Sequence, residues 1–415
     1  MKILSVVGAR PNFMKIAPLI REMRKHRHIT SLLVHTGQHY DVQMAGQFFR
    51  DLEIPDPDIC LDVGSGSHAY QTAEVMKRLE PVIERERPDL IVVVGDVNST
   101  MAAALTAVKL LIPVAHIEAG LRSFDRTMPE EINRVVTDAV ADFLFVTEES
   151  GVQNLLSEGV DKSKIFLVGN VMIDSLEASR RLWSRSNIRV KLGLTGRDYG
   201  VVTLHRPSNV DHPDTLCRIL EALQKIGQSL PIVFPIHPRT RKTLECSGVI
   251  GYGLRLDAFP VTVNAVYGLD PLGYLDFMAL VAGARLVLTD SGGIQEETTA
   301  LGIPCLTIRE NTERPVTVTH GTNRLVGTSP DSIVVEAEKA LTRPQPKSSR
   351  PPLWDGHASK RIVSVLLQHF DARGGKATAP VQSASLRTPH GFATSVDASE
   401  AGGRIGPRFP SSPDL

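Results

Sequence analysis

Two doubly wound α/β domains facing a cleft are what this sequence predicts, on three observations. Short β-branched runs alternate with longer amphipathic stretches in the first half of the chain, and the alternation breaks after Gly169, ahead of the basic "RRLWSRSNIRVKLGLTGRD". A second alternating series then follows. Strands and helices that take turns imply parallel sheets with helices on both faces. At 415 residues and 42% hydrophobic composition, the chain is more naturally split into two domains plus a tail than packed as one.

In order along the chain, "ILSVV", "SLLVH", "DLIVVVG", "PVAHI", "FLFVT" and "KIFLVG" are short and apolar, as strands covered on both faces are. Between them "MKIAPLIREMRK", "TAEVMKRLEPVIERE", "MAAALTAVKLL" and "GVQNLLSEG" carry helical patterns. Residues 1–170 are thus predicted as an N-terminal Rossmann-like domain and residues 171–195 as a connector whose basic cluster is solvated. In residues 196–354, "YGVVTLH", "LCRILEALQKIG", "PIVFPIH", "YLDFMALVAG", "ARLVLTD", "GIQEETTALG" and "PCLTI" build a second Rossmann-like domain. Residues 355–370 read as a closing helix. Residues 371–415, rich in glycine, proline, serine and alanine without periodicity, read as a disordered tail. Trp183 and Trp354 are expected to pack at the domain edges.

Lysine plus arginine equals aspartate plus glutamate at 46 each, so no global field steers the chain onto nucleic acid or an anionic membrane. Aromatics at 5%, with no basic stripe among them, also argue against a nucleic-acid partner. The apolar start is broken by Arg10, Asn12 and Lys15, and no run reaches the roughly 18 apolar residues of a membrane span. A cytoplasmic protein without membrane insertion is expected. Cys60, Cys217, Cys246 and Cys305 lie far apart with no C-x-x-C pair, which predicts reduced thiols rather than a zinc site or disulfides.

The informative feature is where chargeable residues fall. Asp96 follows "LIVVVG", His116 and Glu118 end "PVAHIEAG", Glu130 and Glu131 sit in the first turn of "PEEINRVV", and His205 and Arg206 end "YGVVTLHR". Acids at helix starts are commonplace because they favour the dipole and cap free N–H groups. Together, however, Asp96, Glu118, Glu131 and His205 would converge on the carboxyl side of the sheets. Three carboxylates and an imidazole can move protons to and from carbon, because close like charges raise one another's pKa. The acids match no metal signature, and no metal or cofactor is expected.

"LTDSGGIQEE" places Asp290, Ser291, Gly292 and Gly293 after a strand and at a helix start, where free N–H groups and the Ser291 hydroxyl can meet a diphosphate. Glu296 and Glu297 lie one turn on, within reach of a ribose diol. The loop lacks the lysine of a P-loop and the G-x-G-x-x-G spacing, so a sugar nucleotide fits better than ATP or a dinucleotide. Arg10, with Lys15, could neutralise phosphate from the other domain.

These pieces resemble the non-hydrolysing UDP-N-acetylglucosamine 2-epimerases. The resembling segments run in order over roughly residues 8 to 327: "GARPNFMKIAPLI", "TGQHYD", "GDVNSTMAAALTA", "HIEAGLRSFDRTMPEEINR", "VTLHRPSNV", "PLGYLDFMALV" and "TDSGGIQEETTALGIPCLTIRENTERPVTVTHGTNRLVG". The resemblance implies a GT-B-like fold, a homodimer, and inversion at C2 of UDP-GlcNAc to UDP-ManNAc by elimination and re-addition of UDP. It implies Asp96, Glu118, Glu131 and His205 as catalytic residues. Arg10, Ser291, Gly292 and Glu297 would bind diphosphate and ribose, and Arg206, His237 and Arg314 would lie near phosphate or sugar. Among the acids, Asp96 and Glu131 are expected to share C2 proton transfer, with Glu118 and His205 ordering the network.

Departures from the common pattern are Pro207 and Ser208 after "HR", Tyr40 and Asp41 in "TGQHYD", and the segment "DVGSGSHAYQTAEVM". They leave open a related donor such as UDP-2,3-diacetamido-2,3-dideoxy-glucuronate, and activation by a second UDP-GlcNAc is not carried over. A glycosyltransferase would need an acceptor surface, and a catalytically dead sugar-nucleotide sensor would not need so many acids.

Overall fold

In the computed structural model, residues 1–37, 56–246, 254–342 and 350–374 are described. The first strand, β1 (Lys2–Val7), is buried along almost its whole length and pairs in parallel with β2 (Thr30–His35) on one side and β4 (Leu90–Val94) on the other. A strand flanked by two others and covered on both faces favours apolar residues on both of its faces, which explains the absence of alternation in these runs. The rest of the first half comprises α1 (Arg10–Met23), β3 (Ile59–Cys60), α2 (His68–Glu86), α3 (Asn98–Lys109), β5 (Val114–Ala119), α4 (Pro129–Val140), β6 (Phe143–Val146), α5 (Glu149–Ser157) and β7 (Ile165–Leu167). Its seven strands run in the order β3-β2-β1-β4-β5-β6-β7.

Two helices, α6 (Val171–Trp183) and α7 (Ile188–Lys191), lead to the second sheet. Its elements are β8 (Gly200–Thr203), α8 (Pro207–Val210), α9 (Pro213–Gly227), β9 (Ile232–Pro235), α10 (Pro238–Cys246), β10 (Leu254–Leu256), β11 (Val266–Leu269), α11 (Tyr274–Ala282), β12 (Leu286–Thr289), α12 (Gly292–Leu301), β13 (Cys305–Thr307), α13 (Val316–Thr319), β14 (Asn323–Leu325) and α14 (Pro330–Thr342). The strand order is β10-β11-β9-β8-β12-β13-β14, again all parallel. Chain direction diverges between β1 and β4 and between β8 and β12. The crevice beyond the carboxyl ends at such a switch point is where open α/β sheets bind ligands.

The sequence patterns left out β3, β10, β11 and β14, which have two to four residues each. In β11 the breaker-like Gly268 has a packing reason. A Cβ there would stand 2.6 Å from Ile236 Cδ1 and 2.8 Å from Leu256 Cδ2.

The basic side chains of the connector are exposed as expected, but most of its apolar residues are not. Val171, Ile173, Leu176, Trp183, Ile188, Leu192 and Leu194 are buried in an apolar core that includes Ile3 and Val92 from the first sheet and Val201 and Val287 from the second. The Trp183 indole N–H donates to the Leu176 carbonyl at 3.3 Å, and the Arg180 guanidinium lies over its ring. Arg180, Arg181, Arg185, Arg189 and Lys191 face water while most apolar positions turn inward, as helical periodicity requires. The last helix, α15 (Ala358–Gly374), begins later and ends later than predicted. It returns to the first half, where Asp174 on α6 accepts the N–H groups of Ala358 and Ser359 at 3.0 and 2.7 Å. Just before it, the buried Trp354 donates to the Thr147 carbonyl at 3.1 Å. Residues 375–415, which include most of the expected tail, lie outside the described residues, as does most of "TGQHYD" with Tyr40 and Asp41. No helix among the described residues is long and apolar enough to cross a membrane, and Cys60, Cys217 and Cys305 are free thiols.

Candidate active site

On the first domain, β4 ends in Gly95, whose φ of +70° turns the chain towards Asp96. A side chain there would also crowd Asn12 Nδ2 and Lys15 Nζ, each 3.2 Å from an ideal Cβ, so both backbone and space demand glycine. On the neighbouring strand the β5–β6 register slips between Ile117 and Ala119, and the residue skipped is Glu118 at φ +70°. A non-glycine residue in the left-handed region costs of order 1–3 kcal/mol, and such bulges re-aim a side chain beside a site. Glu118 is buried. Its Oε2 pairs with the Lys15 ammonium, and its Oε1 has no hydrogen-bond partner among the described residues.

Helix α4 sets the other two acids. Pro129 at its start pre-forms the first turn, and Glu131 within that turn accepts the N–H of Ser123 at 3.0 Å and of Phe124 at 2.8 Å. One turn on, Arg134 Nη1 lies 2.5 Å from Glu131, while its Nε and Nη2 lie 3.1 and 2.7 Å from Asp96 Oδ2. Burial would push the Asp96 carboxyl up, but Arg134, Lys15 and Arg314 outweigh it and hold it below the usual range.

On the second domain, Asp290 and His205 end the neighbouring strands β12 and β8. Asp290 Oδ1 lies 2.6 Å from His205 Nδ1, and the carboxylate also accepts the amide N–H groups of His205 and Arg206 and the Asn209 side chain at 3.0–3.2 Å. Asp290 is fully buried; these donors outweigh its desolvation and keep it ionised. The His205 side chain stays 46% exposed, so the imidazole is oriented by protein yet accessible. Ser291 occupies the N-cap of α12, and its hydroxyl makes no capping bond, which leaves it available. At Gly292 an ideal Cβ would lie 2.6 Å from Arg314 Nη1, whereas at Gly293 it would meet only Met172 at 3.8 Å. Glycine at 292 is therefore required for a guanidinium to lie against the helix start.

Arg314 belongs to a cationic cluster. Glu313 Oε1 is 3.2 Å from both Arg206 Nη2 and Arg314 Nη1, and its Oε2 is 2.7 Å from Arg309 Nη2. Arg134 reaches the same carboxylate from the first domain at 3.8 Å. Although burial opposes it, this positive surround depresses the Glu313 carboxyl far below the usual range. Arg314 Nε also holds Glu296 at 2.5 Å, leaving Glu296 Oε2 without a partner. Three guanidiniums, Arg206, Arg309 and Arg314, share Glu313 beside a helix N-terminus, an arrangement that suits an anionic ligand.

Ion pairs thus join Asp96, Glu131, Arg206 and Arg314 through Arg134 and Glu313, the Lys15–Glu118 pair couples to them through charge alone, and His205 is attached through Asp290. Glu297 lies buried, accepting the Tyr274 hydroxyl at 3.2 Å, and burial pushes its carboxyl up to about 8. His237 is exposed after β9, where its Nδ1 accepts the Arg239 amide N–H at 3.3 Å as α10 begins. Arg10 opens α1, and its side chain lies outside the described residues. Sequence reasoning passed over Arg134, Arg309 and Glu313. Arg134 was signalled by its place one turn after Glu131 on the same helix face, whereas Glu313 and Arg309 carried no such mark. Among the described residues no cluster of histidine, cysteine and acids has the makings of a metal site.

The sequence profile of UDP-N-acetylglucosamine 2-epimerase matches residues 21–367. A Methanococcus maripaludis protein named UDP-N-acetylglucosamine 2-epimerase homolog is 44% identical, over 88% of this chain and 99% of its own length. A Pseudomonas aeruginosa UDP-2,3-diacetamido-2,3-dideoxy-D-glucuronate 2-epimerase is 42% identical over the same shares. The crystal structure of the Methanocaldococcus jannaschii UDP-GlcNAc 2-epimerase in complex with UDP-GlcNAc and UDP superposes with a TM-score of 0.80 at 40% identity, covering 89% of this chain and 100% of that one. Two parallel-sheet domains around a cleft form the GT-B-like fold these proteins share, and the chain belongs to the UDP-N-acetylglucosamine 2-epimerase family.

Proposed function

We propose that this protein reversibly inverts C2 of UDP-GlcNAc to give UDP-ManNAc, by elimination and re-addition of UDP. The observation that carries the reading is the single network in which acids of one domain meet arginines and a helix start of the other, linked by Arg134 and Glu313 at 3.8 Å. Breaking the anomeric C–O bond transfers negative charge to UDP, which Arg206, Arg309, Arg314 and the α12 N–H groups would hold against loss. As that bond breaks, a base takes the C2 proton, and return of a proton to the opposite face inverts the centre.

The hydrogen bonds favour a different division among the acids than the sequence suggested. Glu131 is engaged by two backbone N–H groups and Arg134, so it is assigned to hold Arg134 and the loop at 123–124. Glu118, with one oxygen unpartnered and a lysine on the other, and Asp96 are assigned to proton transfer at C2. His205, held by Asp290, is assigned to the leaving-group side, where Arg206 also lies. Ser291, Gly292 and Gly293 would meet the diphosphate and Glu297 would line the ribose side; Arg10 and His237 are kept as contacts to the nucleotide. A homodimer working in the cytoplasm completes the proposal.

A second reading, a UDP-2,3-diacetamido-2,3-dideoxy-glucuronate donor, is favoured by the 42% identity to the Pseudomonas protein of that name. Proton NMR of the protein with each donor in deuterated water separates the readings. UDP-ManNAc carrying deuterium at C2 is the expected result. Turnover of the diacetamido-uronate alone would move the substrate, and UDP binding without exchange on either donor would leave a sugar-nucleotide sensor.

A further inference from the structure

Beneath the acids lies a buried group of charges that the proposed chemistry does not use. His116, on β5 two residues before the strained Glu118, is fully buried. Its Nδ1 lies 2.6 Å from Asp138 Oδ1 and its Nε2 lies 2.8 Å from the carbonyl of Gly95, the residue before Asp96. A carboxylate and a carbonyl are both acceptors, and neutral imidazole has only one N–H to offer them. Asp138 Oδ2 accepts the N–H of Gly120, two residues after Glu118, at 3.0 Å, and the Arg122 guanidinium at 2.7 Å. Arg122 in turn makes a two-pronged contact with Glu158 at 2.8 and 2.7 Å.

We infer that His116 is an imidazolium donating from both nitrogens, and that with Asp138 it is a positioning pair that clamps the Asp96 turn and the Glu118 bulge in one fixed relation. Charge balance agrees. Two cations, His116 and Arg122, face the buried Asp138 and the solvent-exposed Glu158, so the ion-paired group as a whole is neutral although one of its anions lies at the surface. Although burial pushes the Asp138 carboxyl up, His116 and Arg122 outweigh it and keep it ionised. The clamp also explains how a left-handed glutamate is maintained, since Gly120 N–H on one side and the His116 ring on the other are tied to the same carboxylate. Helix α4 carries the whole arrangement. Glu131, Arg134 and Asp138 lie at i, i+3 and i+7 on one face, so one helix presents Glu131, holds Asp96 through Arg134 and holds the Glu118 bulge through Asp138.

This inference rests on the proposed C2 chemistry for its kinetic arm only. Nitrogen NMR of the histidine-labelled wild-type protein at neutral pH, with His116 assigned by its through-space contact to Gly95, should show protons on both ring nitrogens. In Asp138→Asn, kcat for epimerisation should fall on the order of 100-fold, as misplacement by about 1 Å does. The KM for UDP-GlcNAc and the Kd for UDP should stay within about threefold of wild type, because the diphosphate-holding groups sit on the other domain. A single N–H on His116, or a folded Asp138→Asn that loses thermal stability yet keeps its kcat, overturns the inference. Should Asp138→Asn not fold, the wild-type spectrum still decides the protonation and Asp138→Glu tests the clamp. Failure of the functional reading shows differently, as a wild-type protein that turns over no donor.

Discussion

Replacing Glu148 by glutamine should remove a pH dependence built into the contact between the two domains. Glu148 follows β6, and its Oε1 accepts the Val316 N–H from the second domain at 3.3 Å and the Ser150 hydroxyl at 2.7 Å, while Oε2 is buried without a partner among the described residues. Burial raises its carboxyl from 4.5 to about 7; Glu296 adds to the rise, and the Ser150, Val316 and Arg314 interactions oppose it. The folded value lies above the unfolded one, so the native state binds the extra proton between about 4.5 and about 7. Stability is present below that window and is lost as pH rises through it. Summed from pH 5 to pH 8, that loss is about 2.5 kcal/mol at 1.36 kcal/mol per tenfold change. With an unfolding entropy of roughly 2 cal/mol/K per residue, it corresponds to about 3 °C in Tm. Glutamine keeps the Oε1 acceptor and cannot ionise. Calorimetric melts of both proteins at pH 5, 6, 7 and 8 should therefore show the variant gaining about 3 °C on wild type across the series. Glu297, also raised, is common to both and cancels. Melting curves that run parallel from pH 5 to pH 8 would refute the reasoning.

Two further outcomes follow from the nucleotide side. Gly292→Ala forces Arg314 away from the start of α12, at the expense of its pairs with Glu296 and Glu313, and should weaken UDP binding roughly tenfold by calorimetry. Unchanged affinity would mean that Arg314 does not act from that position. Asp290→Asn removes the carboxylate that orients His205 and should lower kcat on the order of 100-fold with UDP affinity nearly intact. A kcat within about threefold of wild type would show that His205 needs no such partner.

Whereas the strand order and its two switch points came from the folded sheets, the sequence by itself determined the alternation of strands and helices and the chargeable residues that end the strands. Those are local properties: a buried parallel strand is written in four to six contiguous residues, and Asp96, Glu118, His205 and Ser291 follow such runs directly. The family resemblance was likewise legible in contiguous segments. Tertiary structure decided what each charge faces. Glu131 looked like a free acid and is engaged by Ser123, Phe124 and Arg134. Asp290, given no role of its own in the glycine loop, is the carboxylate behind His205, and Glu313 gathers arginines from both domains. The connector keeps its basic side chains in water, while Trp183, Ile188 and Leu192 pack into a core shared by both sheets. The physical reason is distance along the chain. A pair such as Arg134 and Glu313 exists only once both sheets are folded and packed, and its strength depends on ångström separations and on burial that no local pattern encodes.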